Sequence, residues 1–301
     1  MTTLGGTGVH AGQETPMVRP LGTADTVALR LLCERHPVAN VFLSGRLEAA
    51  RSADPSDLGG TVLGCFSGRE LCAAYWIGTN IIPVQATPET NAAVAPALNA
   101  RPRRSTSIIG LSGPVLDLAE RLSAWGRPRW IRADQPLLQL GGPPLIEPDP
   151  EVGVVQPADF ETVFRASVEM FCEEVGISPI AQGEEGYRAR VGQLIGRGET
   201  FARFTDDLGG WPRPGSLRQV LFKADIGARS RTVAQIQGVW VHPHRRGEHL
   251  AAPAMAQVVL QTRRRFAPIV SLYVNDYNTR ARRTYERVGF EQIDTFATVM
   301  Y

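Results

Sequence analysis

Between Leu140 and Glu151 the sequence runs Gly-Gly-Pro-Pro-Leu-Ile-Glu-Pro-Asp-Pro, residues 141–150. Neither a helix nor a central strand survives such a run. Each proline loses its backbone donor and fixes its own φ, and glycine favours neither element. The segment therefore divides the patterned chain into 17–140 and 151–301, with a linker expected at 141–150 between two domains. A length of 301 residues fits that division, at about 150 residues per domain. Ahead of both halves, residues 1–16 carry Gly5, Gly6, Gly8 and Gly12 and almost no large apolar side chain, so a disordered tail is expected.

Both halves mix helical and extended periodicities, which places the chain in the α/β (α+β) class. In the first half, Ala24–Arg35 reads as a helix. Thr61–Phe66 and Leu71–Gly78 read as strands joined at Ser67-Gly68. A short apolar run follows at Ile81–Ala86, then a helix over Pro88–Ala100, a strand over Ser107–Gly110, an amphipathic helix over Pro114–Trp125 and an extended stretch over Trp130–Leu140. The second half opens on an extended run, Val152–Gln156, followed by helices over Ala158–Glu173 and Glu184–Arg197. Strands are expected at Thr200–Thr205 and Gln219–Ile226, flanking a polar Gly/Pro-rich connection at 206–215. Val233–Val241, Ile269–Val274 and Phe290–Met300 read as further strands, with helices over Ala252–Phe266 and Thr279–Val288 between them.

Charge and cysteine usage narrow the function classes. There are 32 basic and 30 acidic residues, a formal net charge of +2, so no whole-protein field favours nucleic acid or an anionic membrane. No apolar run reaches the roughly 18 residues needed to cross a bilayer. Met1–Gln13 lacks the apolar core of a leader. Cys33, Cys65, Cys72 and Cys172 form no Cys-x-x-Cys pair and read as small core hydrophobes of a reduced, cytoplasmic protein. Lys223 is the only lysine, all other basic residues being arginine.

The stretch Val239-Trp-Val-His-Pro-His-Arg-Arg-Gly-Glu-His-Leu-Ala-Ala-Pro253 takes a strand through a short basic loop into a helix. A helix start offers unpaired N–H groups and partial positive charge, which suits phosphate. Arg245 and Arg246 add two guanidinium groups there. Gly-x-Gly-x-x-Gly and a Walker lysine are both missing, so a dinucleotide or P-loop reading is weak. His242, His244 and His249 have no fitting cysteine nearby, and no metal site is expected.

This stretch resembles the GNAT superfamily signature V-x-P-x-x-[RQ]-x-x-G-x-[GA], matched by Val241, Pro243, Arg246 and Ala251, with His249 where the family usually has glycine. Downstream, Asn278, Ala281, Tyr285, Gly289 and Phe290 fall at the family spacing N-x-x-A-x-x-x-Y-x-x-x-G-F. The resemblance implies two GNAT-like domains, each a mixed, mostly antiparallel sheet flanked by helices. The first would have lost cofactor binding, since Thr87–Asn91 holds the comparable place without an arginine. The second would be catalytic. It further implies acetyl-CoA as co-substrate, bound by Val239, Trp240, Val241, Arg245, Arg246, Gly247, Glu248, His249, Leu250, Ala251, Asn278 and Ala281. His249 either narrows the loop or reaches a phosphate with its ring.

By the same resemblance Tyr285 protonates the departing thiolate. Many family members carry a base on the fourth strand, where this chain has Gln235 and Gln237, and an amide accepts no proton at neutral pH. The catalytic candidates are thus Tyr285, Glu173 and Gln235. The base itself is water-mediated, a carboxylate such as Glu173 or Glu174, or unnecessary because the acceptor amine has a low pKa. Met170, Phe171 and Val175 are either core or acceptor pocket. The expected function is N-acetyl transfer to an amine of a small molecule or protein. The alternatives are a non-catalytic acyl-CoA-binding regulatory module and, against the low net charge, an aminoacyl transferase using charged tRNA. Monomer and homodimer both remain open.

Overall fold

A computed structural model describes residues 16–181, 183–206 and 218–301. The tail expected over 1–16 lies outside these but for Pro16, as does the connection at 206–215 but for Asp206. The first half contributes β1 (Met17–Pro20), α1 (Thr26–Glu34), α2 (Val41–Ala50), α3 (Pro55–Leu58), β2 (Thr61–Ser67), β3 (Glu70–Ile77), β4 (Asn80–Val84), α4 (Pro88–Asn99), β5 (Ser107–Leu111), α5 (Ser112–Arg121) and β6 (Trp130–Leu140). The second contributes β7 (Gly153–Val154), α6 (Phe160–Val175), α7 (Glu185–Gly196), β8 (Thr200–Thr205), β9 (Gln219–Arg229), β10 (Val233–Val241), α8 (Ala251–Arg265), β11 (Ile269–Tyr273), α9 (Thr279–Val288) and β12 (Glu291–Met300).

The expected elements form, with three additions: β1, too short to show a period, and α2 and α3, which show no helical period in the sequence. Along α2, Val41, Phe42, Leu43 and Leu47 do not share one stripe, because the helix is wedged between neighbours rather than laid on one surface. Its Gly45 lies flat on β9, where a Cβ would overlap the Arg229 carbonyl.

Among the described residues the strands form one twelve-stranded sheet in the order β1-β2-β3-β4-β5-β12-β6-β11-β10-β9-β8-β7. The order is a palindrome of the two halves with their last strands traded. β12, from the second half, pairs with β5 from Phe296↔Leu111 to Met300↔Ser107. β6, from the first half, pairs with β11 from Val270↔Leu140 to Tyr273↔Leu137. The traded strands also pair with each other. All ladders are antiparallel except β4–β5 and β10–β11. Helices cover both faces, and Val38, Val41, Leu137, Val233 and Phe296 form a core cluster drawn from both halves.

The Gly/Pro segment is a docked strap. Leu145 N–H donates to Val288 O at 2.9 Å and Asp149 N–H to Pro253 O at 3.0 Å. Asp149 also meets Arg203 at 2.8 Å. No helix among the described residues is long and apolar enough to cross a membrane.

Candidate active site

The site begins where a ladder stops. β10 and β11 run parallel and pair only from Val233↔Ile269 to Gln235↔Ser271. Beyond Gln235 they part, leaving one edge of β10 without a neighbour. On its other edge, β10 loses register with β9 between Gln237↔Asp225 and Trp240↔Lys223, so Gly238 and Val239 face the single residue Ala224. Gly238 takes φ +59°, and a Cβ there would sit 2.9 Å from Asp225 Oδ2 and 3.4 Å from Lys223 Nζ. The bulge needs glycine on both counts.

Beneath the bulge lies a buried ion pair. Lys223 Nζ, with no exposed surface, donates to Asp225 Oδ2 at 2.6 Å, and it approaches Gly238 O at 3.4 Å. A buried ammonium is tolerated when so paired. A lone lysine inside the apolar run Val220-Leu-Phe-Lys-Ala-Asp-Ile226, with an acid two residues on, is the sequence signal for such a same-face pair.

After Val241 the chain makes the expected turn. Pro243–Arg245 form a short 3-10 turn and α8 starts at Ala251, with Pro253 in its first turn. Gly247 takes φ +91° and His249 φ +60°. The histidine thus adopts the left-handed shape that favours glycine. Among the described residues no acceptor meets the backbone N–H groups of Gly247, Glu248, His249 and Leu250. These free amides at a helix start are the features a diphosphate requires. Arg245 pairs with Glu248 at 2.9 Å, and Arg246 pairs with Glu173 at 2.6 Å while donating to Val241 O at 3.0 Å. The turn is exposed, and Val239 and Val241 anchor it on the core under α8.

Asn278 caps α9, its Oδ1 accepting from Ala281 N at 3.1 Å, and Gly289 closes the helix at φ +108°. Tyr285 packs edge-on to Phe290 at 5.9 Å in the same core. Among the described residues nothing hydrogen-bonds its hydroxyl. Burial first, and then the nearby Glu174 charge, push its pKa upward.

The two adjacent glutamates divide. Glu173 is taken by Arg246. Glu174 is solvent accessible, yet the walls around it desolvate its carboxyl and raise its pKa, against the opposing pull of Arg132 and Lys223. Its charge acts on Tyr285, Tyr273 and Tyr187. Gln235 lies at the closed end of the fork, where its Nε2 and the Ser271 Oγ across the ladder are both buried without partners. Gln237 folds over Gly227. Trp240 turns its ring away from α8 into the core under α6, with Met170, and among the described residues its indole N–H, like Gln235 Nε2 and Ser271 Oγ, meets no partner. A cavity of about 370 Å³ opens there beside Trp240, His242 and Glu169, on the α6 face rather than between the parted strands.

Sequence reasoning missed what the first half supplies. β6 runs past the end of β11 and fixes the loop that carries Asn278. Val274 N–H donates to Pro136 O and Asp276 N–H to Asp134 O, each at 3.2 Å. Buried Gln135 donates to Asn275 Oδ1 at 2.9 Å and accepts from Thr298 at 2.7 Å. No local pattern announces such contacts, because they join residues far apart in the chain.

The first half has its own fork, with β4 and β5 paired only at Asn80↔Ser107 and Ile81↔Ile108. Polar side chains tie together the helices that follow its two strands. The Tyr75 hydroxyl donates to Asn91 Oδ1 at 2.8 Å, Asn91 Nδ2 donates to Asp117 at 2.7 Å, and Arg121 grips Asp117. This network bridges α4 and α5, the topological counterparts of α8 and α9. The α4 start is capped internally by Thr87 and Thr90.

Comparison with known proteins agrees with this geometry. The family described as "Acetyltransferase (GNAT) family" matches residues 201–290, and a "Domain of unknown function (DUF4081)" matches 60–163. Among solved structures, an acetyltransferase of the GNAT family from Colwellia psychrerythraea is 10% identical with a TM-score of 0.55, over 95% of this chain and 99% of that one. A GCN5-related N-acetyltransferase from Sphaerobacter thermophilus is 16% identical with a TM-score of 0.57, over 96% of each chain. A tandem GNAT protein from the clavulanic acid biosynthesis pathway is 15% identical with a TM-score of 0.50, over 95% of this chain and 98% of that one. A search of the curated proteins finds no significant match.

Proposed function

We propose, from the premise that residues 201–290 form a GNAT acetyltransferase domain in a chain of GNAT fold throughout, that the protein transfers an acetyl group from acetyl-CoA to an amine. The observation that carries this reading is the parting of β10 from β11 beside a turn with free amides, with Tyr285 and Glu174 within electrostatic reach of each other. Acyl-CoA would supply an acyl group activated as a thioester. The amides of residues 247–250, with Arg245 and Arg246, fit its diphosphate. The edge of β10 that β11 vacates fits an extended amide chain, and N–H groups over Val239–Val241 fit the thioester oxygen. Asn278 and Ala281 stand at the α9 end of this cleft.

Tyr285 holds its proton at neutral pH for the leaving sulfur, because burial keeps the phenol from ionising. Glu174 takes the proton from the acceptor amine. We assign it the base role in preference to Glu173, whose carboxylate is held by Arg246, and to Gln235, which sits where the strands are still paired. The test is a melting scan with acetyl-CoA combined with thiol release over an amine panel. Stabilisation and thiol release together support the reading. Stabilisation without transfer to any amine or peptide identifies a non-catalytic acyl-CoA-binding module, and an unchanged melting temperature overturns both.

A further inference from the structure

We propose that the acceptor is an amine that also bears a carboxylate, and that Arg132, on β6 from the first half, holds that carboxylate. The inference rests on the acyl-transfer reading above. Arg132 reaches across to the end of α6, where its Nη2 donates to Glu174 O at 2.9 Å. Its guanidinium lies 4.4 Å over the Trp130 ring. These two contacts fix the plane of the group and leave donors over. Among the described residues no carboxylate comes within ion-pair distance of it, whereas Arg245 and Arg246 at the turn each have a glutamate. The contact with Glu174 O sets the guanidinium beside the residue assigned as base, and its charge acts on both Glu174 and Tyr273.

A planar guanidinium with an open edge matches a carboxylate in bidentate fashion. A phosphate dianion would call for more than one such donor group. Glu174, for the amine end of a ligand, is thus paired with a neighbouring cation that has no carboxylate of its own among the described residues, for the carboxylate end. In the reaction the acyl C–S bond breaks and the C–N bond forms. The ammonium first releases one proton to solvent; a second passes from the amine to Glu174 as the C–N bond forms, the sulfur takes one from Tyr285, and the Glu174 proton returns to the phenolate through solvent.

The experiment measures thiol release from acetyl-CoA with the standard amino acids, their decarboxylated amines and phosphoethanolamine, for the full chain and for Arg132→Gln. We expect at least one amino acid to exceed its decarboxylated partner by tenfold or more in kcat/KM. Arg132→Gln should raise KM for that amino acid about tenfold and leave KM for the decarboxylated amine unchanged, while any change in kcat that comes through Glu174 should be common to both substrates. The proposal is overturned if decarboxylated amines match their amino acids, if phosphoethanolamine is preferred, if Arg132→Gln changes KM for both classes alike, or if no amino acid is used while acetyl-CoA still binds. Failure of acetyl-CoA to bind overturns the acyl-transfer reading itself.

Discussion

His249 stands at φ +60° in the turn before α8, a region that costs a residue with a Cβ about 1 kcal/mol. His249→Gly should raise the unfolding free energy by about 1 kcal/mol in a urea titration. Acetyl-CoA affinity should be kept, because backbone amides rather than the imidazole meet the phosphate; a weakened variant would assign the ring to phosphate instead. Two neighbouring side chains separate binding from chemistry. Tyr285→Phe should lower kcat with little change in acetyl-CoA affinity, whereas Arg246→Ala should lower affinity first, as read by calorimetry beside steady-state rates. The pH profile follows from two upward shifts. Glu174 must be deprotonated to act, so its raised pKa moves the acid limb of the rate above the usual carboxylate range near 4. Tyr285 must stay protonated, so the alkaline limb lies above 10. A carboxyl whose folded pKa is raised binds its proton more tightly folded than unfolded, so its ionisation costs stability as pH rises through that value. Glu174→Gln should therefore melt higher at neutral pH while losing transfer activity.

Among the elements, β10 carries the most. Its bulge at Gly238 rests on the Lys223–Asp225 pair, and the ion pair in turn is enclosed by Met170 and the strand above. Lys223→Met leaves a buried carboxylate without its cation and should cost about 3–5 kcal/mol by chemical denaturation. Lys223→Met with Asp225→Leu should recover most of that stability but not the rate, since the Gly238 carbonyl loses its support. These elements differ in how far they could be read in advance. The strand–turn–helix around Val241 and the cap-to-cap helix from Asn278 to Gly289 were legible, because each is specified by contiguous residues with local signatures. α2 was not, because its apolar residues answer to several neighbours at once. Glu174 was named among the candidate bases, but Arg132 and Gln135 were illegible, since what brings them near the second half is the pairing of β6 with β11. The bounds of the strands and helices were readable from periodicity; their order across the sheet was not.

At the scale of the whole molecule, the traded strands decide what can exist alone. Without residues 151–301 the first half lacks β12, so β5 and β6 have no strand between them; without 17–140 the second lacks β6 and exposes β11. Expressed separately, 16–140 and 151–301 should each lack cooperative unfolding and aggregate through these open edges. Co-expressed, they should associate into a species with the native melting transition, checked by size exclusion and circular dichroism. Independent folding of either piece would show that the trade is dispensable. Pairing of strands this distant in the chain also implies slow folding. The trade has a bearing on how such a chain changes over generations. In the first half Tyr75, Asn91 and Asp117 are tied to one another across α4 and α5, and deletion of that half would strip β6 from the side of β11. A lineage carrying this arrangement can let the first half drift only where its side chains leave the second alone, and it has no viable route to discarding it.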